Sequence, residues 1–154
     1  MLACGINTIL FSNAPTTMFS YFSSNEFSAH AFTVELGKVK PFGENYMVNF
    51  SGVIGSLTAL ISGQPLALIK DKKEDFILFE INQVIDRHCH YFTLNFSDDV
   101  ENFTDFAIGT VIPQDDEQEI KTQQTGEAII FPNSNVAIGQ RALLTVISVD
   151  VNPE

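Results

Sequence analysis

Glu35 is the residue of this sequence best placed to do chemistry. It is a lone acid among Ala31, Phe32, Val34 and Leu36, whose types predict a short buried strand over Ala29–Gly37. Gly37, Lys38 and the turn residues Pro41-Phe42-Gly43 follow it. An ionised carboxylate among apolar neighbours is costly unless a partner or a reaction uses its charge. Two readings stay open on residue type alone. Glu35 is either a structural acid tied to Lys38 or a backbone amide, or an acid at the C-terminal end of a strand in an open α/β sheet, where ligands bind. Strand alternation puts Ala31, Thr33 and Glu35 on one face and His30, Phe32, Val34 and Leu36 on the other, which separates His30 from Glu35.

A second constellation is Arg87-His88-Cys89-His90. On a strand His88 and His90 would share one face, a disposition suited to two zinc ligands. Cys89 would then point away, and further ligands would have to come from distant positions. Histidines that serve the sheet rather than a metal are the preferred reading. Lys38 is read as orienting the neighbouring carboxylate rather than as a nucleophile. Gly37 and Gly43 serve turns, and no phosphate-binding glycine loop is present.

The elements that must position these residues fall into two groups. Asn7–Phe11 reads as a short strand and Thr16–Phe27 as a short helix capped by Thr16 or Thr17. Glu44–Ile61 is predicted as a helix with one apolar stripe of Met47, Phe50, Ile54, Leu57 and Ile61. Gly63 and Pro65 end it. A charged linker follows over Lys70–Asp75. Beyond it the pattern turns to β, with strands predicted over Phe76–Asp86, His90–Phe96, Ala107–Ile112, Ile120–Gln123, Glu127–Phe131 and Ala142–Val151. Turn-formers such as Gln114-Asp115-Asp116 separate them. The fold class is α+β, with an α/β segment over 1–68 and a β-rich sandwich or barrel over 72–151.

The 154 residues, 45% of them hydrophobic, can bury a sizeable core. Fourteen phenylalanines and no tryptophan make that core aromatic. The formal charge of −11 argues against nucleic acid or an anionic membrane as partner. Between Arg87 and Lys121 there is no Lys or Arg, while Asp98, Asp99, Glu101, Asp105, Asp115, Asp116, Glu117 and Glu119 accumulate. They are read as a solvated acidic face, which would repel an anionic substrate. Two isolated cysteines, Cys4 and Cys89, make no disulfide framework, and no apolar run reaches membrane-spanning length. Leu2-Ala3-Cys4 is superficially similar to a lipoprotein cleavage site, and a lipoprotein is not the expected reading. The expected location is cytoplasmic.

The stretch Phe32–Asn45 (FTVELGKVKPFGEN) resembles the strand–turn–helix signature of the succinylglutamate desuccinylase and aspartoacylase family of zinc-dependent amidohydrolases, related to zinc carboxypeptidases. The similarity continues in order through Leu60-Ile61-Ser62-Gly63, Gly109–Asp115, Phe131-Pro132-Asn133 and Val136–Gly139. The resemblance implies that Glu35 is the catalytic carboxylate acting on a zinc-bound water. It implies a zinc-carboxypeptidase-like α/β domain, of which 1–68 would be the C-terminal remnant, followed by a barrel-sandwich hybrid domain over 72–151. The family's His-x-x-Glu zinc motif does not occur here. The chain thus resembles the C-terminal portion of such an enzyme, with zinc as the cofactor of the complete enzyme, an N-acyl amino acid as substrate and a separate N-terminal half as a possible partner. Where the family commonly carries an arginine, ten residues before the glutamate, this chain has Asn25, which can hydrogen-bond a carboxylate but not neutralise it. Alternatives are a non-catalytic assembly module, or a hydrolase of another N-acyl amino acid. The phrase Ala107–Ile112 is also similar to lipoyl and biotinyl carrier domains, but Lys121 lacks the carrier setting, so carrier function is not supported.

Overall fold

The computed structural model describes residues 1–12, 14–37, 40–66, 75–97 and 99–150. The chain divides into two compact units, one of Met1–Asn7 with Asn13–Phe76, the other of Thr8–Ser12 with Ile77–Glu154. The charged linker and the boundary between residues 68 and 72 fall almost wholly within 67–74, outside the described residues.

The second unit is built from eight strands: β1 (Thr8–Phe11), β2 (Ile77–Asp86), β3 (Phe92–Leu94), β4 (Thr104–Asp105), β5 (Val111–Asp115), β6 (Gln118–Lys121), β7 (Ala128–Ile130) and β8 (Arg141–Ser148). Five form a sheet in the order β1-β2-β8-β7-β4, and three form a second sheet in the order β3-β5-β6. Only β1 and β2 run parallel. β7 and β8 explain why this unit holds together. Their sequences AII and ALLTVI are apolar on both faces, as a strand covered on both sides must be. Ile129, Ala142 and Leu143 pack with Ile85 and with Phe92 and Ile112 of the three-stranded sheet. Ala128, Ile130, Leu144 and Val146 form a second cluster with Leu10, Phe79 and Ile81. Fully burying a Val, Leu, Ile or Phe side chain contributes roughly 1.5–3 kcal/mol.

Several strand boundaries differ from those expected. Ala107–Thr110 is a turn, not the start of a strand. The Thr110 and Thr122 hydroxyls both donate to the Ala107 carbonyl, at 2.6 and 2.7 Å, and the Thr110 amide donates to Thr122 Oγ1 at 3.0 Å. This knot closes the loop, and β5 begins only at Val111. It then runs through Pro113 to Asp115, where turn residues suggested a loop. The turn proper is Asp116-Glu117, with Asp116 in the left-handed region (φ 57°) that aspartate tolerates.

The sheet also holds a buried acid. β2 carries a bulge between Ile81 and Gln83, and Gln83 Nε2 donates to Glu127 Oε1 at 2.6 Å. The Gln123 amide donates to Glu127 Oε2 at 2.5 Å. Glu127 is fully buried. Burial alone would raise its pKa, but neighbouring donors outweigh burial and hold it below the ordinary glutamate range. The buried Asn82 amide nitrogen and Thr145 hydroxyl stop short of hydrogen-bond geometry, yet still favour the charged form.

In the first unit, short 3-10 turns at Leu2–Cys4 and Met47–Phe50 accompany two α-helices, α1 (Phe19–Phe27) and α2 (Ser51–Ile61). α2 starts later than Glu44, because residues 47–50 form the tighter 3-10 turn. It ends where expected, with Gly63 at φ 64° and the Gln64 amide donating to the Ala59 carbonyl. α1 begins after Met18, whose amide donates to Thr16 Oγ1, so Thr16 precedes the helix instead of capping it directly. The strand predicted over Ala29–Gly37 is not formed: from His30 to Gly37 no backbone group bonds to another described residue. A strand needs a neighbour for its ladder, and none of the described strands pairs with this segment.

Glu127 supplies the first prediction. Its depressed folded-state pKa means that its contribution is complete above the ordinary glutamate value and is lost as pH falls through the folded value. Glu127→Gln should lower the stability of the β-rich unit at neutral pH by about 1–3 kcal/mol, because it sets an amide donor against a donor. It should also flatten the acid limb of stability against pH, read by urea denaturation between neutral and acidic pH.

Candidate active site

Glu35 lies on the exposed, irregular segment that replaces the expected strand. The expectation of a buried acid is thereby corrected: Glu35 is open to solvent, and so are Phe32 and Val34 beside it. Gly37, two residues on, adopts φ 114°, a conformation that side-chain-bearing residues rarely take. Lys38, expected to orient the carboxylate, lies outside the described residues. Beside Glu35 is a cleft of about 460 Å³ whose lining includes Val34, Leu36, Gly37, Lys40, Tyr46 and Asn49. Glu35 itself is not in the lining. Lys40 Nζ sits 5.5 Å above the Tyr46 ring, a cation–π arrangement.

Asn25 is on α1, and its amide donates to the adjacent Glu26 carboxylate at 2.7 Å. The position where the resemblance implies an arginine therefore presents an amide paired with an acid. It cannot neutralise a substrate carboxylate. His30 is exposed on the segment next to Glu35.

The histidine pair is not on a strand. β2 ends at Asp86, and His88, Cys89 and His90 form the turn into β3. Two residues hold this turn, Arg87 and Asp115. Arg87 spends its guanidinium on the carbonyls of Cys89, His90, Ser134 and Val136. Asp115, read in the sequence as part of a solvated acidic face, is buried. It accepts the amides of His88 at 2.8 Å and Cys89 at 3.1 Å. Burial pushes the Asp115 carboxyl up, but the Cys89 thiol and these amides outweigh it and hold the pKa low. The same carboxylate, accepting from the thiol, pushes Cys89 above its ordinary range. The remaining described acids of that stretch, Asp99, Glu101, Asp105, Asp116, Glu117 and Glu119, are exposed.

Among the described residues, no three His, Cys, Asp or Glu side chains gather as metal ligands. They do not fit a zinc site of their own. No helix among them is long and apolar enough to cross a membrane.

The β-rich unit is a barrel-sandwich hybrid, and it follows a segment of hydrolase catalytic domain. Residues 74–149 match the AstE/AspA barrel-sandwich hybrid domain, and residues 1–61 match the succinylglutamate desuccinylase/aspartoacylase catalytic domain. The chain belongs to the succinylglutamate desuccinylase/aspartoacylase family. It is 54% identical over 147 residues to a succinylglutamate desuccinylase of Pseudoalteromonas atlantica, a match spanning 96% of this chain and 42% of the relative. A second, from Idiomarina loihiensis, is 50% identical over 97% of this chain and 43% of the relative. Among solved structures, succinylglutamate desuccinylase from Vibrio cholerae superimposes with a TM-score of 0.84 at 37% identity, over 99% of this chain and 44% of that one. The chain thus spans less than half the length of the relatives it matches.

The turn at Cys89 generates the second prediction. In a Cys4→Ser background, alkylation of Cys89 should show a pH midpoint above that of a free cysteine. Asp115→Asn should move that midpoint down, because the thiol loses its anionic neighbour. A change in plateau rate without a shift in midpoint would assign the effect to exposure instead.

Proposed function

We propose that this chain carries the general base of a succinylglutamate desuccinylase, which hydrolyses N2-succinylglutamate to succinate and glutamate in arginine breakdown. The observation that carries the reading is family membership through a catalytic-domain match that includes Glu35, whose carboxylate is open to solvent. Glu35 takes a proton from the attacking water as its oxygen bonds to the succinyl carbonyl carbon. The C–N bond then breaks, and Glu35 returns the proton to the departing amine of glutamate. Proton transfer of this kind contributes typically about 10²–10⁴-fold.

Zinc is the cofactor proposed for the complete enzyme, held by ligands other than the described residues of this chain. The second domain, with the partition near residues 68–72, is proposed as the module that accompanies this catalytic segment. A cytoplasmic location is proposed with the enzyme class and suits a chain with two unpaired cysteines.

The test co-expresses this chain with the part of the Pseudoalteromonas atlantica relative that it does not match, and measures succinate release from N2-succinylglutamate. Activity is expected from the pair and not from the chain alone. Glu35→Gln should lower kcat by about 10²–10⁴-fold with little change in KM. Retention of activity by Glu35→Gln within a factor of about ten would remove Glu35 from the chemistry. Faster turnover of N-acetyl amino acids would move the substrate to another acyl class.

A further inference from the structure

A substrate that carries carboxylates needs a cation to hold them, and Asn25, bonded to Glu26, does not supply one. The described residues leave few candidates. Arg87 is spent on backbone carbonyls, Lys121 Nζ pairs with Glu119 at 2.9 Å, and Arg141 stands over the Phe131 ring. Among the described residues of the first unit Lys40 is the only lysine or arginine, and no described acid pairs with it.

Lys40 lines the cleft of about 460 Å³ beside the Glu35 segment. Val34, Leu36 and Phe50 supply its apolar wall, and Lys40, Tyr46 and Asn49 its polar groups. Lys40 Nζ lies 5.5 Å from the centre of the Tyr46 ring. The Asn49 side-chain amide and the Tyr46 hydroxyl make no hydrogen bond to a described residue. A side-chain carbon at Gly37 would meet that amide at 3.5 Å, so the amide stands against the backbone two residues beyond Glu35. All these residues belong to the one stretch 34–50, which folds on itself locally. The Glu44 amide donates to the Pro41 carbonyl and the Asn49 amide to the Tyr46 carbonyl, both at 3.0 Å.

An ammonium, an amide and a hydroxyl beside an apolar wall make a site for a carboxylate carried on a short methylene chain. Val34 and Leu36, on either side of Glu35, line the cleft, while Glu35 does not. A ligand can thus anchor one end in the cleft and keep its reacting bond outside. We propose that Lys40 is a specificity-determining residue, holding a carboxyethyl arm of the substrate in this cleft where position 25 lacks an arginine. The proposal rests on the desuccinylase reading for the identity of the substrate, and it gives Lys40 no part in proton transfer. N2-succinylglutamate carries such an arm at each end, one on the succinyl group and one on the glutamate side chain. Anchoring a remote arm holds the scissile carbonyl in place for attack.

Side-chain NMR of the full chain, titrated with N2-succinylglutamate, tests this without reference to turnover. The expected result is a saturable shift of the Asn49 amide and Tyr46 ring signals. Lys40→Gln should weaken binding at least about tenfold, and Lys40→Arg, which keeps the charge, should hold it within about threefold. N2-acetylglutamine, which lacks both arms, should not bind. N2-acetylglutamate lacks the succinyl arm and N2-succinylglutamine the glutamate carboxylate, so the analogue that binds more weakly identifies the arm held. Absence of a saturable shift would overturn the proposal, as would full binding by Lys40→Gln or of N2-acetylglutamine. In the co-expressed pair, Lys40→Gln should lower kcat/KM for N2-succinylglutamate at least about tenfold and leave the pH dependence of kcat in place. Cleft binding by a pair that releases no succinate counts against the functional reading and leaves this one standing. Succinate release untouched by Lys40→Gln does the reverse.

Discussion

Apolar surface must be covered, and the two units of this chain meet that requirement differently. In the second unit β7 and β8 are apolar on both faces, and strands of the same unit supply the partners. Its core is therefore closed by its own residues. The first unit has comparable apolar content but no closed core among its described residues. Its helices are poor in strong helix formers, with Gly52 and Gly55 inside α2, and most of their apolar side chains stay exposed. Helix formation and burial of a core have come apart in that unit.

The same contrast separates the acids. Glu127 and Asp115 are buried, and each is surrounded by donors that favour its charged form. A carboxylate whose lone pairs are occupied in this way is a structural pin: moving it or neutralising it would strand several buried donors at once. Among the described residues no hydrogen bond or ion pair engages the Glu35 carboxylate, which faces solvent. Of Glu35, Asp115 and Glu127, only Glu35 is open to take a proton from water.

What the sequence revealed follows the range of the interactions involved. The end of α2 was legible, because Gly63 and Pro65 act within one turn of the helix. β7 and β8 were legible from continuous apolar runs. The Ala107–Thr110 turn was not, since the hydroxyl that ties it belongs to Thr122, twelve residues further on. The histidine turn was misread as strand for the same reason. Its amides are held by Asp115, which is 27 residues beyond His88 and looked like one more solvent-exposed acid. Glu35 was legible as a lone acid in a β-forming run, but its surroundings were not, because a strand exists only where a second strand meets it.

That dependence gives the lone acid its meaning. Had residues 30–37 been a surface loop by design, polar and turn-forming residues would have served there, and Phe32 and Val34 would be an unnecessary exposure of apolar surface. A β-forming sequence without a ladder is instead a segment whose conformation no backbone hydrogen bond to a described residue fixes. On the proposed reading the general base would sit on this segment, whose backbone makes no hydrogen bond to another described residue, and a general base without a defined direction gains little from being correctly ionised.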